Sequence, residues 1–404
     1  MVNTLLTPSL ITKEALVILE NNLVAAKKVT RDHEKLFGKS LPTVGKIGDT
    51  LTVRKPNRFT VRTNTTFSAQ NIVEPSVPLV VDKVAGVDFT FSSRELTLNI
   101  EQFSERYLAP AMATIANKID FDVLQLYKGV YNQVGTAGTT PATFSALAAC
   151  TRRLNEEAAP KDKRRYGVFD PAAEVTLADA FKGFFAPQGK IGMQYEEAEL
   201  QRVAGIAWEM DQNIARHTTG TVSNATPAID TNVVAGDTTF HLDGLNGATV
   251  TAKQGDTFTI AGVFAVNPQS RQSTGVLRQF VVTADTTAVG SEFAALPISP
   301  APFASGAFQN VTALPVDGDL VTFFNPSAGT STQNLAFHQD AFALVTVPLE
   351  LPDGVHFAAR ESYKGINIRI VRQYTIADDS IPCRLDVIYG TKVLYPELAV
   401  RLAG

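Results

Sequence analysis

The feature that most constrains this chain lies in its middle. From about His217 through roughly Gln333 no helical stretch is readable, and Thr, Gly, Ala and Val dominate. Apolar residues alternate with polar ones in Thr257-Phe258-Thr259-Ile260 and Gln279-Phe280-Val281-Val282, as in half-buried strands. Asp243-Gly244 and Asp317-Gly318 mark turns between them. Helical and strand patterns resume on both sides, so the stretch reads as an inserted domain, a small antiparallel barrel or sandwich of about 110 residues. Its charges are Lys253, Arg271 and Arg278 against Asp230, Asp237, Asp243, Asp256, Asp285, Glu292, Asp317 and Asp319, and three minus eight leaves it at −5.

The parent chain has room for such a guest. Its 404 residues, at roughly 150 per domain, suggest two to three domains. At the N-terminus Thr12 stands at an N-cap position, and Leu16, Leu19, Leu23 and Ala26 recur at helical spacing before Lys27 and Lys28. From Ile47 to Phe91 the period changes to two, in Leu51/Val53, Phe59/Val61, Val77/Leu79/Val81 and Val87/Phe89/Phe91. The polar, Thr-rich stretch Thr60 to Gln70 suits the tip of a projecting hairpin. A two-stranded arm is marginal alone in water, so it is expected to lie along something larger, such as another subunit. The alternative is an ordinary meander within one domain.

From Asn99 through Tyr131 one apolar face, Leu108, Met112, Ile115, Ile119, Val123, Leu126 and Val130, predicts a long helix that kinks or breaks at Pro110. Helices are expected over Pro141 to Ala159 and Pro171 to Phe185, with a short strand at Tyr166 to Phe169 between them. Trp208 has helical neighbours, no aromatic partner and a place in the core. Strands return at Ala341 to Leu351, Ile366 to Ile370 and Leu385 to Tyr389, with a turn at Ala377 to Pro382 and a closing C-terminal strand.

Chemistry is sought and not found. Histidines 33, 217, 241, 338 and 356 are dispersed, with no HExxH and no pair at helical spacing. Cys150 and Cys383 read as buried thiols, in neither a disulfide framework nor a zinc site. The loop Ala186 to Tyr195 lacks the ending of a phosphate-binding loop, and Glu196, Glu197 and Glu199 read as a solvated helix face. His338 near Asp340 is the fairest catalytic candidate, and a strand or turn role is favoured for it. No catalytic residue, cofactor or metal is expected, and no stretch approaches the ~20 apolar residues of a membrane helix. The formal net charge of −4 gives no general pull toward nucleic acid. Only the arm residues Lys27, Lys28, Arg31, Lys35 and Lys39 stand out as a possible phosphate contact.

Four stretches carry a family resemblance: Ile11-Thr12-Lys13-Glu14-Ala15-Leu16, Phe337-His338-Gln339-Asp340-Ala341-Phe342, Leu349-Glu350-Leu351-Pro352-Asp353-Gly354 and Asp386-Val387-Ile388-Tyr389-Gly390. They resemble the major coat proteins of short-tailed phages of the Salmonella phage type. Gln254-Gly255-Asp256, followed by Phe258, Ile260 and Gly262, matches the insertion of that family by position and β character. The resemblance implies an α+β Hong Kong 97-type major capsid fold, with a long spine helix, an extended β-hairpin loop and an inserted antiparallel β-barrel. It implies an N-terminal arm at 1–46, the extended loop at 47–98, and the spine helix with the start of a peripheral domain at 99–140. An axial α/β domain at 141–217, the barrel at 218–333 and return strands at 334–404 complete it.

The function so implied is a shell subunit, not an enzyme, that encloses a double-stranded DNA genome. It would sit in the virion capsid, and in the host cytoplasm before assembly. Its partners would be itself in pentamers and hexamers of an icosahedral shell, a separate scaffolding protein, a portal protein, and packaged DNA held without sequence readout. Arg54, Lys55, Arg58, Phe59 and Arg62 are the candidate intersubunit contacts. A β-rich decoration or glycan-binding module using the barrel is the other class of function open at this point.

Overall fold

The expected N-terminal helix forms, and it starts earlier than its cap signal suggested. It runs Pro8–Asn22 in the computed structural model, which describes residues 8–33, 49–63, 65–67, 69–92, 107–181, 202–224, 227–247, 249–325, 328–363 and 366–404. Thr12 therefore sits inside the helix, fully buried, and does not cap it. Leu16, Leu19, Leu23 and Ala26 are all buried, as their spacing requires. The described residues fall into two compact units, one from 1–54, 76–123 and 342–392, the other from 55–75, 124–341 and 393–404.

In the first unit the helix Pro8–Asn22 packs on the strands Phe357–Tyr363 and Ile366–Arg372. These belong to a five-stranded sheet that also contains Phe342–Val347, Ser380–Val393 and Lys83–Ser92. Lys83–Ser92 pairs antiparallel with the long C-terminal strand from Lys83/Tyr389 to Ser92/Ser380. The helix Ala109–Leu124 follows directly on a π-helical pair, Tyr107 and Leu108, so Pro110 coincides with a change of helical winding. Residues 99–106 lie outside the described residues. Asp120 on that helix accepts the backbone N–H groups of Val24 at 2.8 Å and Ala26 at 2.7 Å, tying down the chain that leaves the first helix. Tyr389 donates to Asp122 at 2.6 Å in the same core. Thr50–Arg54 and Ser76–Val80 form a separate antiparallel ribbon. Phe59 and Val61, read as strand from their alternation, lie in unpaired chain because nothing opposes them in a ladder.

The second unit is built on a seven-stranded mixed sheet, ordered Gln133–Gly135, Ala399–Ala403, Thr330–His338, Arg165–Phe169, Ile206–Met210 and Arg202–Val203, with Arg216–Thr218 paired to the start of Thr330–His338. Two helices, Phe144–Glu156 and Pro171–Phe181, accompany it, the first capped by Thr143, whose hydroxyl accepts the Ala146 N–H at 3.3 Å. Leu147, Cys150, Leu154 and Leu177 join Phe169, Trp208, Ala336 and Leu402 in one core. Trp208 is indeed core, but it sits on a strand parallel to Arg165–Phe169 and has Phe169 as a ring neighbour at 5.7 Å. The sequence misleads there because the strand is only five residues long.

Gly167 lies directly opposite Trp208 in that parallel pair. A Cβ added at Gly167 would stand 2.2 Å from the indole ring. Gly167→Ala is therefore expected to cost about 1–3 kcal/mol by overpacking, against the usual gain of replacing a strand glycine. Urea unfolding of the purified subunit measures it, and an unchanged midpoint would refute the clash.

The stretch read as an insertion forms a barrel-like sheet within the second unit. Six strands follow in the order Val321–Phe323, Thr257–Val266, Ser273–Val282, Phe293–Ser299, Thr239–Asp243 and Ala228–Ile229. An antiparallel bridge between Ala228 and Leu320 joins the last to the first, with Val321 N–H donating to Pro227 at 2.8 Å and Ile229 N–H to Asp319 at 2.9 Å. The two alternating stretches pair with each other in the register Phe258↔Phe280. Those two rings stack at 5.7 Å and meet Phe240 edge-on, within a core that also holds Ile260, Val282, Phe293, Leu296 and Ile298.

Candidate assembly loop and the buried joint below the barrel

The candidate contact residues divide between the units. Arg54 ends the exposed ribbon strand of the first unit, opposite Ser76. The other four belong to residues 55–75 of the second, whose root is anchored in its own unit. Arg58 pairs with Glu397 at 3.2 Å, and Lys55 lies over the Tyr395 ring at 5.0 Å. Burial, with Arg58 adding and Glu397 opposing, holds the Lys55 ammonium below its ordinary pKa. The carbonyl of Phe59 accepts from Arg271 of the barrel at 3.3 Å. Beneath the root is a cleft of about 410 Å³ lined by Lys55, Arg58, Tyr131, Phe303, Tyr395 and Glu397.

Beyond Phe59 the segment is self-tied and exposed. The Gln70 amide bridges both backbone groups of Thr60, at 2.8 and 2.6 Å, and Arg62 folds onto the Thr65 carbonyl of its own loop at 3.5 Å. Phe59 is 59% exposed, Val61 92%, Phe67 85%, Ile72 69% and Val73 56%. Five large apolar side chains on one short segment form a patch of the kind that soluble monomers avoid and interfaces use.

A second cluster went unread in the sequence. His217, at the point where the composition shifts into the insertion, is buried and stands between Tyr127 and Asp256. Its Nδ1 is 3.1 Å from the Tyr127 hydroxyl and its Nε2 is 2.7 Å from Asp256 Oδ1. The second Asp256 oxygen accepts the N–H groups of Gly220 at 3.1 Å and Lys253 at 2.8 Å. Gly255 takes a φ of +103°, with the His217 ring 3.2 Å from where a Cβ would be, and its carbonyl accepts from Arg401 at 2.7 Å. Burial pushes the Tyr127 phenol up to about 12 and the Arg401 guanidinium down to about 10. The Gln254-Gly255-Asp256 motif was the available signal, and its role is this joint.

The joint continues along one side of the barrel. Gln133 receives Gln279 on its carbonyl, Thr257 on its side-chain oxygen at 2.5 Å, and donates to Asn325 at 2.8 Å. Arg278 is buried against Glu157 at 2.7 Å, with its guanidinium 4.5 Å from the Tyr131 ring centre. Burial and the neighbouring Glu157 push the Tyr131 phenol far above its ordinary range. These groups are buried and tied to one another, and Tyr131, Glu157 and Arg278 also line the cleft beneath the loop's root.

The remaining sequence candidates are structural or lie outside the described residues. His338 ends its strand fully buried, 3.0 Å from Asp162, and accepts the Asp340 N–H at 3.3 Å, which is the turn role expected of it. Cys150 and Cys383 are buried free thiols whose burial raises them to about 12 and about 11. Residues 186–199, Lys35 and Lys39 fall among those not described. Among the described residues no group of three or more His, Cys, Asp or Glu is placed to hold a metal, and no helix is long and apolar enough to cross a membrane.

Comparison with known proteins follows this geometry. A family model described as P22 coat protein, gene protein 5, matches residues 2–404. No curated protein matches the chain. Among solved structures, one titled Mycobacterium phage Che8 is similar at a TM-score of 0.50 and 13% identity, over 94% of this chain and 90% of that one. The capsid structure of the Cyanophage P-SCSP1u is similar at a TM-score of 0.45 and 12% identity, over 88% of this chain and 83% of its own.

Proposed function

This chain belongs to the P22 coat protein family, and from that premise we propose how its exposed loop serves the shell. The fold is the Hong Kong 97-type capsid fold, α+β with a barrel-like sheet in the insertion. The role is that of a structural capsid subunit, which self-assembles into an icosahedral shell of the virion.

In the proposal, residues 55–75 reach a neighbouring subunit. The observation that carries it is the exposure of Phe59, Val61, Phe67, Ile72 and Val73 on a segment without strand partners. Lys55 and Arg58 fix the root of the loop to their own subunit. Arg54, Phe59 and Arg62 stand with the apolar residues toward the neighbour. Such contacts are heterologous, and repeated about a ring they close into fives and sixes. The six-part domain division, a separate scaffolding protein, a portal, DNA held without sequence readout and a cytoplasmic stage before assembly belong to the same proposal, on the strength of the family.

The test is the triple substitution Val61→Ser, Phe67→Ser and Ile72→Ser. Exposed positions change monomer stability by no more than about 0.5 kcal/mol each. If each side chain contributes about 1 kcal/mol at the contact, assembly weakens more than a hundredfold. The expected result is a folded subunit with an unchanged urea midpoint and no shells by negative-stain microscopy with scaffolding protein present. Shells at wild-type yield and stability would show that the loop is decoration.

A further inference from the structure

A shallow cleft of the second unit, about 280 Å³ and far in sequence from the loop, is lined by cations and neutral groups only. Its walls come from the segment Lys161-Asp162-Lys163-Arg164-Arg165 and from the turn at Arg202, Ala204 and Gly205, with Thr151 and Asn155 on the helix beside them. Arg165 is buried, and its guanidinium donates to the carbonyls of Pro160 at 2.9 Å and Ala159 at 2.6 Å and to Asn155 at 2.9 Å. Every one of those acceptors is neutral, and Asp162 is the carboxylate that acts on its charge. Asp162, the carboxylate within that run, is engaged by Arg164 at 2.6 Å and His338 at 3.0 Å. Arg202 places its two terminal nitrogens on the carbonyls of Lys163 and Gly205. The Lys161 and Lys163 ammoniums are exposed and have no hydrogen-bonding or ion-pair partner among the described residues.

Two non-glycine residues at the rim, Lys163 and Ala204, hold left-handed backbone with φ of 69° and 51°. Strain of this kind persists where the surroundings impose it, and it concentrates at binding sites. Here it sets the cation-bearing loop and the facing turn on one opening.

We propose that this cleft binds a phosphate group. Arg165 and Arg202 each place both terminal nitrogens on protein oxygens, which disfavours a planar carboxylate held bidentate across either fork. The donors left over are two lysine ammoniums and the unused N–H groups of Arg202, an arrangement suited to a compact dianion or to one phosphate of a DNA backbone. The proposal rests on the capsid reading only for the source of the phosphate. The N-terminal arm, with its lysines, is then not the sole phosphate contact of the chain.

The experiment uses the purified full-length subunit and the variant Lys161→Gln/Lys163→Asn, in which Asn tolerates the left-handed position. Inorganic phosphate is followed by phosphorus NMR line broadening, and a short mixed-sequence DNA duplex by fluorescence anisotropy across a salt series. Broadening by the wild type that the variant loses assigns the site to phosphate. If the duplex is the physiological source, the slope of log K against log salt falls by roughly 0.9 for the one lost phosphate contact. Broadening lost with the duplex slope unchanged assigns the site to a free anion. Equal broadening and equal slopes in the two proteins overturn the proposal, as does displacement of the phosphate signal by a poly-glutamate peptide alone at lower concentration, which would identify an acidic protein segment. None of these readouts needs a shell, so their failure is separable from failure of the assembly reading.

Discussion

Asp256→Leu is expected to cost the subunit about 3–5 kcal/mol, enough to abolish assembly at ordinary temperature. The carboxylate accepts from three donors, His217 Nε2, the Gly220 N–H and the Lys253 N–H. A leucine of similar shape leaves the imidazole and both backbone N–H groups without an acceptor and fills the space a water would need, at a position that is 0% exposed. It also removes the negative charge that helps the buried Arg401 to stay protonated. Urea unfolding and soluble yield measure the effect. A midpoint within about 0.5 kcal/mol of wild type would mean that the joint does not hold the barrel to its parent domain.

Glu157→Ala is expected to be nearly as damaging, because it strands the Arg278 guanidinium at 2% exposure without its 2.7 Å partner. The informative comparison is the double variant Glu157→Leu/Arg278→Met. An apolar pair of similar volume needs no charge compensation, and the flexible Met can fill the space against Tyr131. The double variant should recover most of the about 3–5 kcal/mol lost by the single one. If both variants unfold at the same denaturant concentration, the loss came from packing and not from an orphaned charge.

These two pairs show what a single sequence conceals. His217 and Asp256 are 39 residues apart, and Arg278 and Glu157 are 121 apart, so no local pattern joins either residue to its partner. The barrel itself was legible, because its strands Thr257–Val266 and Ser273–Val282 alternate and its Asp-Gly turns are local signals. The first helix was legible in its core and not in its start, since Thr12 is a buried helical residue that happens to be a good cap type. Trp208 was placed correctly inside and wrongly on a helix, because a buried five-residue parallel strand has too few residues to display a period. Phe59 and Val61 alternate like a strand without being one, since two alternating residues are too few to fix a strand and neither has a ladder partner. The Lys161 to Arg165 run went unread, because its meaning depends on Asp162 being held by Arg164 and His338 and on Arg202 arriving beside it.

The Ala228–Leu320 bridge bears on crowding. An open sheet ending at Ala228–Ile229 and Val321–Phe323 would carry a row of unsatisfied N–H and C=O groups along each margin. Subunits held side by side in a shell would offer those margins to one another as templates for strand addition, a route to uncontrolled polymerisation. Closing the ring uses the same groups within the barrel and removes the template. A chain that assembles with copies of itself can thus carry over a hundred residues of β-structure without offering these two margins for strand addition.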